Sequence, residues 1–385
     1  MDHRARTRRS PWALLAFISV ISTASLAQDG TDCDGRCEAA QALIERFDLR
    51  TGPIPVRDRF ENRRPRRIVV ADPYIADQIR DLVPSSQIIA IDGLRNFAEI
   101  AEVIDEAEIL IGLCAPEVIA RARRLQWIQL LNAGADTCTG LPELVDRDIP
   151  VTNLQRIQGP HMAEHAIAMM FALARSLPQY GLDQHTGTWS RGLRGVGELK
   201  LIEIEGKTLL VVGLGGIGTE VARRGAALGM RVIATRASRR EGPDYVDYVG
   251  LADEASELAA QSDFVVNATP LTPDTTGMFD AQFFSAMKPS AYFINIGRGE
   301  SVVTEDLSKA LQSSTIAGAG LDVTDPEPLP KDHPLWTMAN VLLTPHIATR
   351  SDHRNERTAI LVYENLRRYL EGEALLSEVN LARGY

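Results

Sequence analysis

Short apolar runs alternate with helix-like stretches such as PEVIARARRL, which begins at Pro116. Alternation of this kind predicts a parallel sheet whose strands are joined by helical crossovers. The predicted strands of this first series are RRIVVAD (66–72), QIIAID (87–92), EILIGL (108–113), LQWIQLL (125–131) and PVTN (150–153).

A second alternating series begins at residue 207 and predicts six further parallel strands. They are TLLVV (208–212), RVIAT (231–235), DFVVNAT (263–269), AYFINI (291–296), AGLDV (319–323) and NVLLTP (340–345). Together the two series predict an α/β protein with two doubly wound parallel-sheet domains. We expect a flavodoxin-like first domain and a Rossmann second domain.

Two long helical patterns set the expected domain boundaries. HMAEHAIAMMFALARSL (161–177) is apolar nearly all round, which predicts a buried helix between the domains. RNERTAILVYENLRRYL (354–370) is amphipathic, and we expect it to pack back on the first domain. The prediction is a discontinuous substrate-binding domain, 66–157 and 347–385, around a dinucleotide-binding domain, 158–346.

The first 27 residues have the layout of a secretory signal. Basic MDHRARTRRS precedes apolar WALLAFISVISTASLA, and small residues stand before Gln28. The apolar run is shorter than the roughly 20 residues that span a bilayer, which favours cleavage and export over a membrane anchor. A cytoplasmic protein with a misassigned start is the alternative. Residues 28–65 are interpreted as a leader or surface extension.

The composition narrows the range of partners. A chain of 385 residues can form two domains, and a net charge of −10 argues against nucleic acid as a partner.

No cysteine pair has zinc-type C-x-x-C spacing, and no metal site is expected. Cys33 and Cys37 are either a disulfide of an exported protein or two exposed thiols. Cys114 and Cys138 stand in apolar contexts and are interpreted as small core residues.

A glycine-rich turn opens the second series. Gly213, Gly215 and Gly218 form G-x-G-x-x-G between an apolar strand and the helical pattern TEVARRGAALG. In that context the motif predicts dinucleotide binding, with Gly216 and Ile217 in the same turn, rather than a plain glycine-rich loop. The pyrophosphate is expected at the start of the following helix.

The end of the next strand indicates which dinucleotide is bound. An NAD site usually has Asp or Glu about 20 residues past the glycines, to bind the ribose 2′-OH. Here the segment TRASRR supplies Thr235, Arg236, Ser238 and Arg239 instead. Arginine and hydroxyl side chains suit a phosphate, so NADP is favoured, with NAD as the alternative cofactor. A solvated basic loop is the other interpretation.

The segments that follow three later strands contain side chains that suit hydride transfer to a 2-oxo acid. They place Arg298 in NIGRGE, Glu327 in LDVTDPEPLP and His346 in LLTPHIAT at one carboxyl edge of the sheet, where ligands bind. His346 could protonate the oxygen of a 2-oxo acid as a hydride reaches its carbon, with Glu327 orienting the imidazole. Arg298 could bind the carboxylate and polarise the carbonyl.

From about residue 66 to Tyr385 the chain resembles the D-isomer-specific 2-hydroxyacid dehydrogenase family. The resemblance rests on GLGGIG, NIGRGE, LDVTDPEP, TPHIAT and AEHAIAMMFALAR. It implies Arg298, Glu327 and His346 as the catalytic triplet. It also implies reduction of a small 2-oxo acid of the glyoxylate or hydroxypyruvate type, and a homodimer built mainly on the cofactor domain.

The same resemblance implies further binding residues. Asp322 would lie near the nicotinamide carboxamide, and Thr269 and Pro270 would line the nicotinamide ribose. Backbone N–H groups near Ala133 and Gly134, in LLNAGAD, would hold the acid end of the substrate. A dinucleotide-sensing binding protein on the same scaffold is the alternative function, because sensing relatives can keep the triplet.

Overall fold

The computed structural model describes residues 35–61, 63–91, 97–189 and 201–385. The predicted signal and Cys33 therefore lie outside the described residues. Within these ranges, none of the helices combines the length and the apolar character needed to cross a membrane.

The described residues form two sheets in which every neighbouring pair of strands is parallel. The first sheet contains β1 Ile68–Val70, β2 Ile88–Ala90, β3 Ile109–Ile111, β4 Trp127–Gln129 and β5 Val151–Thr152. The second contains β6 Thr208–Val212, β7 Arg231–Arg236, β8 Tyr248–Leu251, β9 Phe264–Asn267, β10 Tyr292–Asn295, β11 Gly318–Leu321 and β12 Val341–Leu343.

Helices connect these strands and cover both sheets. They are α1 Gly35–Phe47, α2 Val56–Arg59, α3 Pro73–Gln78, α4 Phe97–Asp105, α5 Pro116–Arg121, α6 Pro142–Asp146, α7 Gly159–Ala174, α8 Leu177–His185, α9 Gly216–Ala227, α10 Ala255–Ala260, α11 Ala281–Ala286, α12 Thr304–Gln312 and α13 Arg354–Glu371. Short 3₁₀ turns occur at Ser85–Gln87, Ala252–Glu254, Gly299–Ser301 and Pro334–Trp336.

The first sheet has the strand order β2-β1-β3-β4-β5, which is the flavodoxin-like order. Its β1, β3 and β4 strands are buried along their whole length. The C-terminal helix α13 covers one face of this sheet. There the ring of Tyr369 stacks on Trp127, with ring centroids 5.6 Å apart, and both side chains are fully buried. The chain therefore returns to its first sheet after completing the second.

The second sheet has the order β12-β11-β10-β9-β6-β7-β8, a Rossmann arrangement with its crossover point between β6 and β9. Two such domains confirm the predicted fold class. The prediction of six strands was wrong by one, because β8 at the sheet edge was missed. Only Val249 and Gly250 are buried in β8, so its sequence lacks the continuous apolar run of an inner strand.

Helix α7 belongs to the core of the cofactor-binding half. Its small residues Ala163 and Ala166 allow close packing, and Met169 and Met170 fill the space against the second sheet. A Cβ atom added at Gly320 of β11 would lie 3.1 Å from Met169, so helix and strand pack closely. This packing fixes the turn before α7, residues 154–158, against the cofactor-binding half.

Cys114 and Cys138 form a disulfide, which corrects their interpretation as plain core residues. Both are buried, but their sulfur atoms are bonded across 24 residues of sequence. An apolar context does not reveal such pairing, because it depends on where two distant segments meet. Cys138 stands two residues after the LLNAGAD loop and Cys114 three residues after β3, so the disulfide fastens that loop to the segment that follows β3. Cys37 is also disulfide-bonded.

Part of the predicted N-terminal extension is folded onto the body of the protein. We call residues 35–61 the N-terminal extension. Leu43 and Phe47 of α1 are buried against Leu361 of α13 and Leu154 in the turn before α7. The guanidinium group of Arg36 lies 4.9 Å from the centre of the Tyr363 ring. The end of α1 is thereby held beside the junction of the two domains.

Candidate active site

Polar side chains stand at the carboxyl ends of neighbouring strands of the second sheet. Asn267 ends β9, Asn295 ends β10 and Asp322 follows β11, and all three are buried. His346 follows β12 by three residues. A buried polar group must be hydrogen-bonded to be tolerated, so these residues are expected to hold the loops above them.

His346 and Glu327 form a hydrogen-bonded pair. The distance between His346 Nδ1 and Glu327 Oε1 is 2.7 Å, and both side chains are about two-fifths exposed. His346 has a φ of 51°, in the left-handed region that is uncommon for residues other than glycine. Its backbone N–H donates to the carbonyl of Asp322 across 2.8 Å. The pair is thus accessible to a ligand while its backbone is fixed.

Asp322 shapes the turn that carries His346. One of its carboxylate oxygens accepts from Thr344 Oγ1 at 2.6 Å and from the N–H of Ile347 at 2.9 Å, and the other accepts from the N–H of Ala348 at 2.9 Å. His165 Nε2 in turn lies 2.9 Å from Thr344 Oγ1. The carboxylate hydrogen bonds of Asp322 thus all go to the turn that carries His346, and its place near the nicotinamide carboxamide stays a prediction.

Arg298 reaches across the cleft to the first domain. Its Nε and Nη2 atoms donate to Asp136 Oδ1 at 3.1 and 2.8 Å, and Nη1 donates to the carbonyl of Gly297 at 3.0 Å. Three of the five guanidinium N–H donors are engaged, which leaves two for a ligand. Our sequence analysis missed Asp136, although it stands in the LLNAGAD segment that was singled out for the substrate.

The structure brings the predicted substrate loop against Arg298. A Cβ atom added at Gly134 would lie only 1.8 Å from Nη2 of Arg298. Only a glycine allows this approach of backbone to guanidinium. The neighbouring Ala133 is held from the first domain, because its carbonyl accepts from Asn153 Nδ2 at 2.7 Å.

A buried network of amides holds the turn that bears Arg298. Asn267 Nδ2 donates to Asn295 Oδ1 at 2.9 Å and to Ser301 Oγ at 2.8 Å. Asn295 Nδ2 and Ser301 Oγ both donate to the carbonyl of Arg298, at 3.0 and 2.7 Å. Sequence reasoning missed this network. Its one signal is an asparagine as the last residue of each of two adjacent buried strands.

The glycine after Arg298 is required by close packing. A Cβ atom at Gly299 would lie 2.0 Å from the carbonyl oxygen of Thr324, which belongs to the loop leading to Glu327. At Gly297 the nearest atom to such a Cβ is the carbonyl oxygen of Thr269, at 2.9 Å. Thr269, one of the predicted ribose-binding residues, is itself held by Asn267 Oδ1, which accepts from its N–H at 3.0 Å.

The glycine-rich turn has the geometry that the motif predicts. Gly213 has a φ of 95°, and a Cβ at Gly218 would lie 2.1 Å from the carbonyl oxygen of Gly213. Helix α9 begins at Gly216, so Ile217 lies in its first turn. The turn therefore leads into the N-terminus of α9, where backbone N–H groups and the helix dipole favour a phosphate.

The end of β7 carries positive charge without a matching carboxylate. Thr235 is buried, while Ser238 and Arg239 are exposed. The Nε atom of Arg236 is buried and lacks a hydrogen-bond partner. Arg240 differs from the other arginines here, since its guanidinium forms an ion pair with Glu254 at 2.7 Å. In the described part of the chain no ion pair involves Arg236 or Arg239.

Electrostatics at this point favour an anion. Burial lowers the pKa of Arg236, and the positive charges of Arg239, Arg156 and Arg50 lower it further. Repulsion of this kind is relieved when an anion binds among the guanidinium groups. The residues present therefore fit a dinucleotide with an extra phosphate on its adenosine ribose. No cluster of three or more metal-ligating side chains occurs among the residues that the structure describes.

Comparison with known proteins points to one family. The profile described as D-isomer specific 2-hydroxyacid dehydrogenase, NAD binding domain, matches residues 167–348. A glyoxylate reductase/hydroxypyruvate reductase of Mus musculus is 36% identical over 266 residues, which cover 68% of this chain and 79% of the relative. A glyoxylate reductase of Pyrococcus furiosus is 34% identical over 291 residues, covering 73% of this chain and 85% of the relative.

Solved structures show the same likeness. An NADPH-dependent glyoxylate/hydroxypyruvate reductase of Sinorhizobium meliloti, in complex with NADP and malonate, is 27% identical and superposes with a TM-score of 0.69. That superposition covers 83% of this chain and 98% of the other. A D-isomer specific 2-hydroxyacid dehydrogenase of Xanthobacter autotrophicus, in complex with NADPH and MES, is 28% identical with a TM-score of 0.68, covering 83% and 99%.

Replacement of Asn295 by alanine tests whether the amide network positions Arg298. Loss of this side chain removes one acceptor of Asn267 Nδ2 and leaves the buried N–H of Gly297 without its partner, so we expect the free energy of unfolding to fall by about 2 kcal/mol. The carbonyl of Arg298 loses one of its two side-chain donors, so kcat/KM for 2-oxo acid reduction should fall by about tenfold or more. Denaturant unfolding and steady-state kinetics measure the two effects.

Asn340→Ala is the matched control for this prediction. Asn340 Nδ2 donates to the carbonyl of Ala317 at 3.1 Å. Both residues stand at the amino ends of strands of the same sheet, whereas the candidate site lies at the carboxyl ends. This variant should lose stability but keep its kcat/KM. If both variants reduce kcat/KM equally, the network has no specific role in positioning Arg298.

Proposed function

Since the chain belongs to the D-isomer-specific 2-hydroxyacid dehydrogenase family, we propose that it reduces a small 2-oxo acid with NADPH to the D-2-hydroxy acid. The protein is an NAD(P)-dependent oxidoreductase of that family, and the proposal adds the substrate and the preferred cofactor. The proposed substrates are of the glyoxylate or hydroxypyruvate type, because relatives with 34–36% identity carry those names.

The observation that carries the proposal is the His346–Glu327 pair, which lies at the same sheet edge as Arg298. In the reducing direction, protonated His346 donates a proton from its imidazole to the carbonyl oxygen of the substrate. Glu327 accepts the Nδ1–H across 2.7 Å, which fixes the ring and stabilises its positive charge. A bound nicotinamide supplies the hydride.

Arg298 is proposed to bind the carboxylate and carbonyl oxygens of the substrate. Asp136 and the Gly297 carbonyl already engage three of its N–H groups, so the orientation of the guanidinium is set before substrate arrives. The two remaining N–H groups can bond to oxygen atoms of a 2-oxo acid. Backbone N–H groups near Ala133 and Gly134, beneath the guanidinium, would hold the acid end.

The preference for NADPH is supported by the end of β7. Arg236, Ser238 and Arg239 stand where an NAD site has a carboxylate, and Arg236 has a buried Nε atom without a partner. A 2′-phosphate would provide charged acceptor oxygens for these donors, whereas the hydroxyl groups of a ribose diol would provide only neutral acceptors. The Sinorhizobium meliloti reductase solved with NADP and malonate, at 27% identity, is described as NADPH-dependent.

A role outside the cytoplasm is a further part of the proposal. The signal-like first 27 residues motivate it, and the disulfides at Cys37 and at Cys114–Cys138 support it. Disulfides persist in oxidising compartments and are rare in the reducing cytosol. We therefore propose a periplasmic or secreted protein.

A homodimer built on the cofactor-binding half is proposed as the working unit. Phe171 of α7 and Leu177 and Leu182 of α8 are exposed, Leu182 at 61%. Large apolar side chains exposed close together are typical of a protein–protein interface. This surface would be covered by the second subunit.

The cofactor and substrate are tested by following absorbance at 340 nm. NADPH and NADH are supplied separately with glyoxylate, hydroxypyruvate, pyruvate and phenylpyruvate. We expect kcat/KM to be about tenfold or more higher with NADPH, because each charge-assisted bond to the 2′-phosphate contributes on that scale. His346→Ala should lower kcat by roughly a thousandfold, since it removes the general acid.

His353→Ala is the control for this assay, because His353 is an exposed histidine at the start of α13. It should leave kcat unchanged. Faster turnover with NADH would contradict the proposed cofactor preference. Absence of turnover in a protein that still binds NADPH would favour the alternative of a dinucleotide-sensing binding protein.

Mass spectrometry of the protein from its native host tests localisation and assembly. Under denaturing, non-reducing conditions we expect a chain that begins at Gln28 and has the mass of the fully disulfide-bonded form. Under native conditions we expect the mass of two chains. A chain that retains its first 27 residues with free thiols would contradict export, and a single-chain native mass would contradict the dimer.

A further inference from the structure

The segment of the N-terminal extension that follows α1 carries charged side chains to the turn before α7. After α1 the chain passes through Asp48 and Arg50 before it turns back towards α2. Asp48 Oδ2 accepts from Arg50 Nη2 at 3.2 Å and from Arg156 Nη1 at 3.0 Å. Arg156 Nη1 also donates to the carbonyl of Phe47 at 3.3 Å. The extension thus binds the guanidinium group of Arg156, which stands in the turn before α7.

Arg156 lies directly against the glycine-rich turn. A Cβ atom added at Gly216 would be 2.9 Å from Cγ of Arg156 and 3.2 Å from its Cα atom. The carbonyl oxygen of Gln155 is equally close, at 3.2 Å. The turn before α7 therefore packs on the first residue of α9, and the Arg156 side chain leaves this contact at the phosphate-binding end of the cofactor site.

Four arginines from three segments lie close enough for their positive charges to repel one another. Arg50 comes from the extension, Arg156 from the turn before α7, and Arg236 and Arg239 from the end of β7. The pKa of Arg156 is lowered by burial and also by the positive charges of Arg50 and Arg239, although Asp48 opposes the shift. Among the described residues, Asp48 is the acid that forms ion pairs with members of this group.

We propose that Arg50 and Arg156 form a second wall of the phosphate pocket, in addition to Arg236 and Arg239, and bind the 2′-phosphate of NADP. This inference rests on the proposed use of NADPH and adds residues that lie outside the dinucleotide-binding segment. A phosphate monoester carries nearly two negative charges and three acceptor oxygens, which suits several guanidinium groups better than one. The extension then acts in cofactor recognition as well as in packing.

Direct binding of nucleotide fragments to the full chain tests this inference. Adenosine 2′,5′-bisphosphate carries the 2′-phosphate and 5′-AMP lacks it, and calorimetry gives the Kd of each. We expect Arg50→Gln and Arg156→Gln each to weaken binding of the bisphosphate by about tenfold, since each removes a charge-assisted contact. Binding of 5′-AMP should change by less than about twofold, because its phosphate meets the backbone of the glycine-rich turn.

Arg57→Gln is the matched control, because it removes a positive charge from α2 of the same extension, at a residue that packs against Gly372 after α13. It should leave both Kd values unchanged. Arg236→Gln serves as the reference for the pocket itself. The two test variants lie in different segments, so each checks the inference independently of the other.

The outcomes separate this inference from the proposed function. If Arg236→Gln weakens the bisphosphate while Arg50→Gln and Arg156→Gln do not, the second wall is wrong and the preference for NADPH stands. If the unaltered protein binds 5′-AMP as tightly as the bisphosphate, the preference for NADPH fails as well. Equal weakening of both fragments by Arg156→Gln would overturn its assignment to the 2′-phosphate.

Discussion

The buried carboxylate of Asp322 is the constraint on which the arrangement of the site depends. It is 2% exposed, so its charge must be met by donors within the protein. Those donors are a hydroxyl and two backbone N–H groups from the stretch Thr344–Ala348, together with His165 at 3.5 Å. The turn must wrap around the carboxylate to supply them. These hydrogen bonds hold the turn so that the backbone of His346 is left-handed and its imidazole is directed towards Glu327.

Buried polar side chains also hold the loop of Arg298, which follows the neighbouring strand. Asn267, Asn295 and Ser301 satisfy each other and hold the carbonyl of Arg298, which leaves the guanidinium free to cross the cleft. Asp136 then meets it from the first domain. Buried polar groups at the carboxyl ends of the strands thus fix the two loops that carry Arg298 and His346. In the proposed reaction, side chains held in this way lose little freedom when substrate binds.

The sequence alone predicts those features that depend on local pattern. Strand alternation, the glycine-rich turn and the positions of Arg298, Glu327 and His346 are all visible in short segments with a clear physical meaning. The missed features depend on long-range contact. Asp136 and Arg298 are 162 residues apart, and the Cys114–Cys138 disulfide joins segments that only the folded first sheet brings together. Strand β8 was missed because half of it is solvent-facing.

The N-terminal extension illustrates the same limit in a region of low hydrophobicity. Its polar, proline-containing sequence gives little periodic signal, yet Leu43 and Phe47 are enough to seat α1 against α13. Once seated, the extension places Asp48 beside Arg156, 108 residues later in the chain. In the proposed phosphate pocket, three distant segments contribute side chains, and such an arrangement cannot be predicted from any one segment.

The central claim is that His346, Glu327 and Arg298 hold a 2-oxo acid in one orientation while a hydride reaches one face of its carbonyl. The most direct test is the configuration of the product when hydroxypyruvate is reduced with NADPH and the glycerate is resolved by chiral chromatography. The account predicts D-glycerate alone, and formation of D-glycerate should be lost in His346→Ala. L-glycerate or a racemic mixture would contradict it, because a substrate fixed by Arg298 and His346 presents a single face.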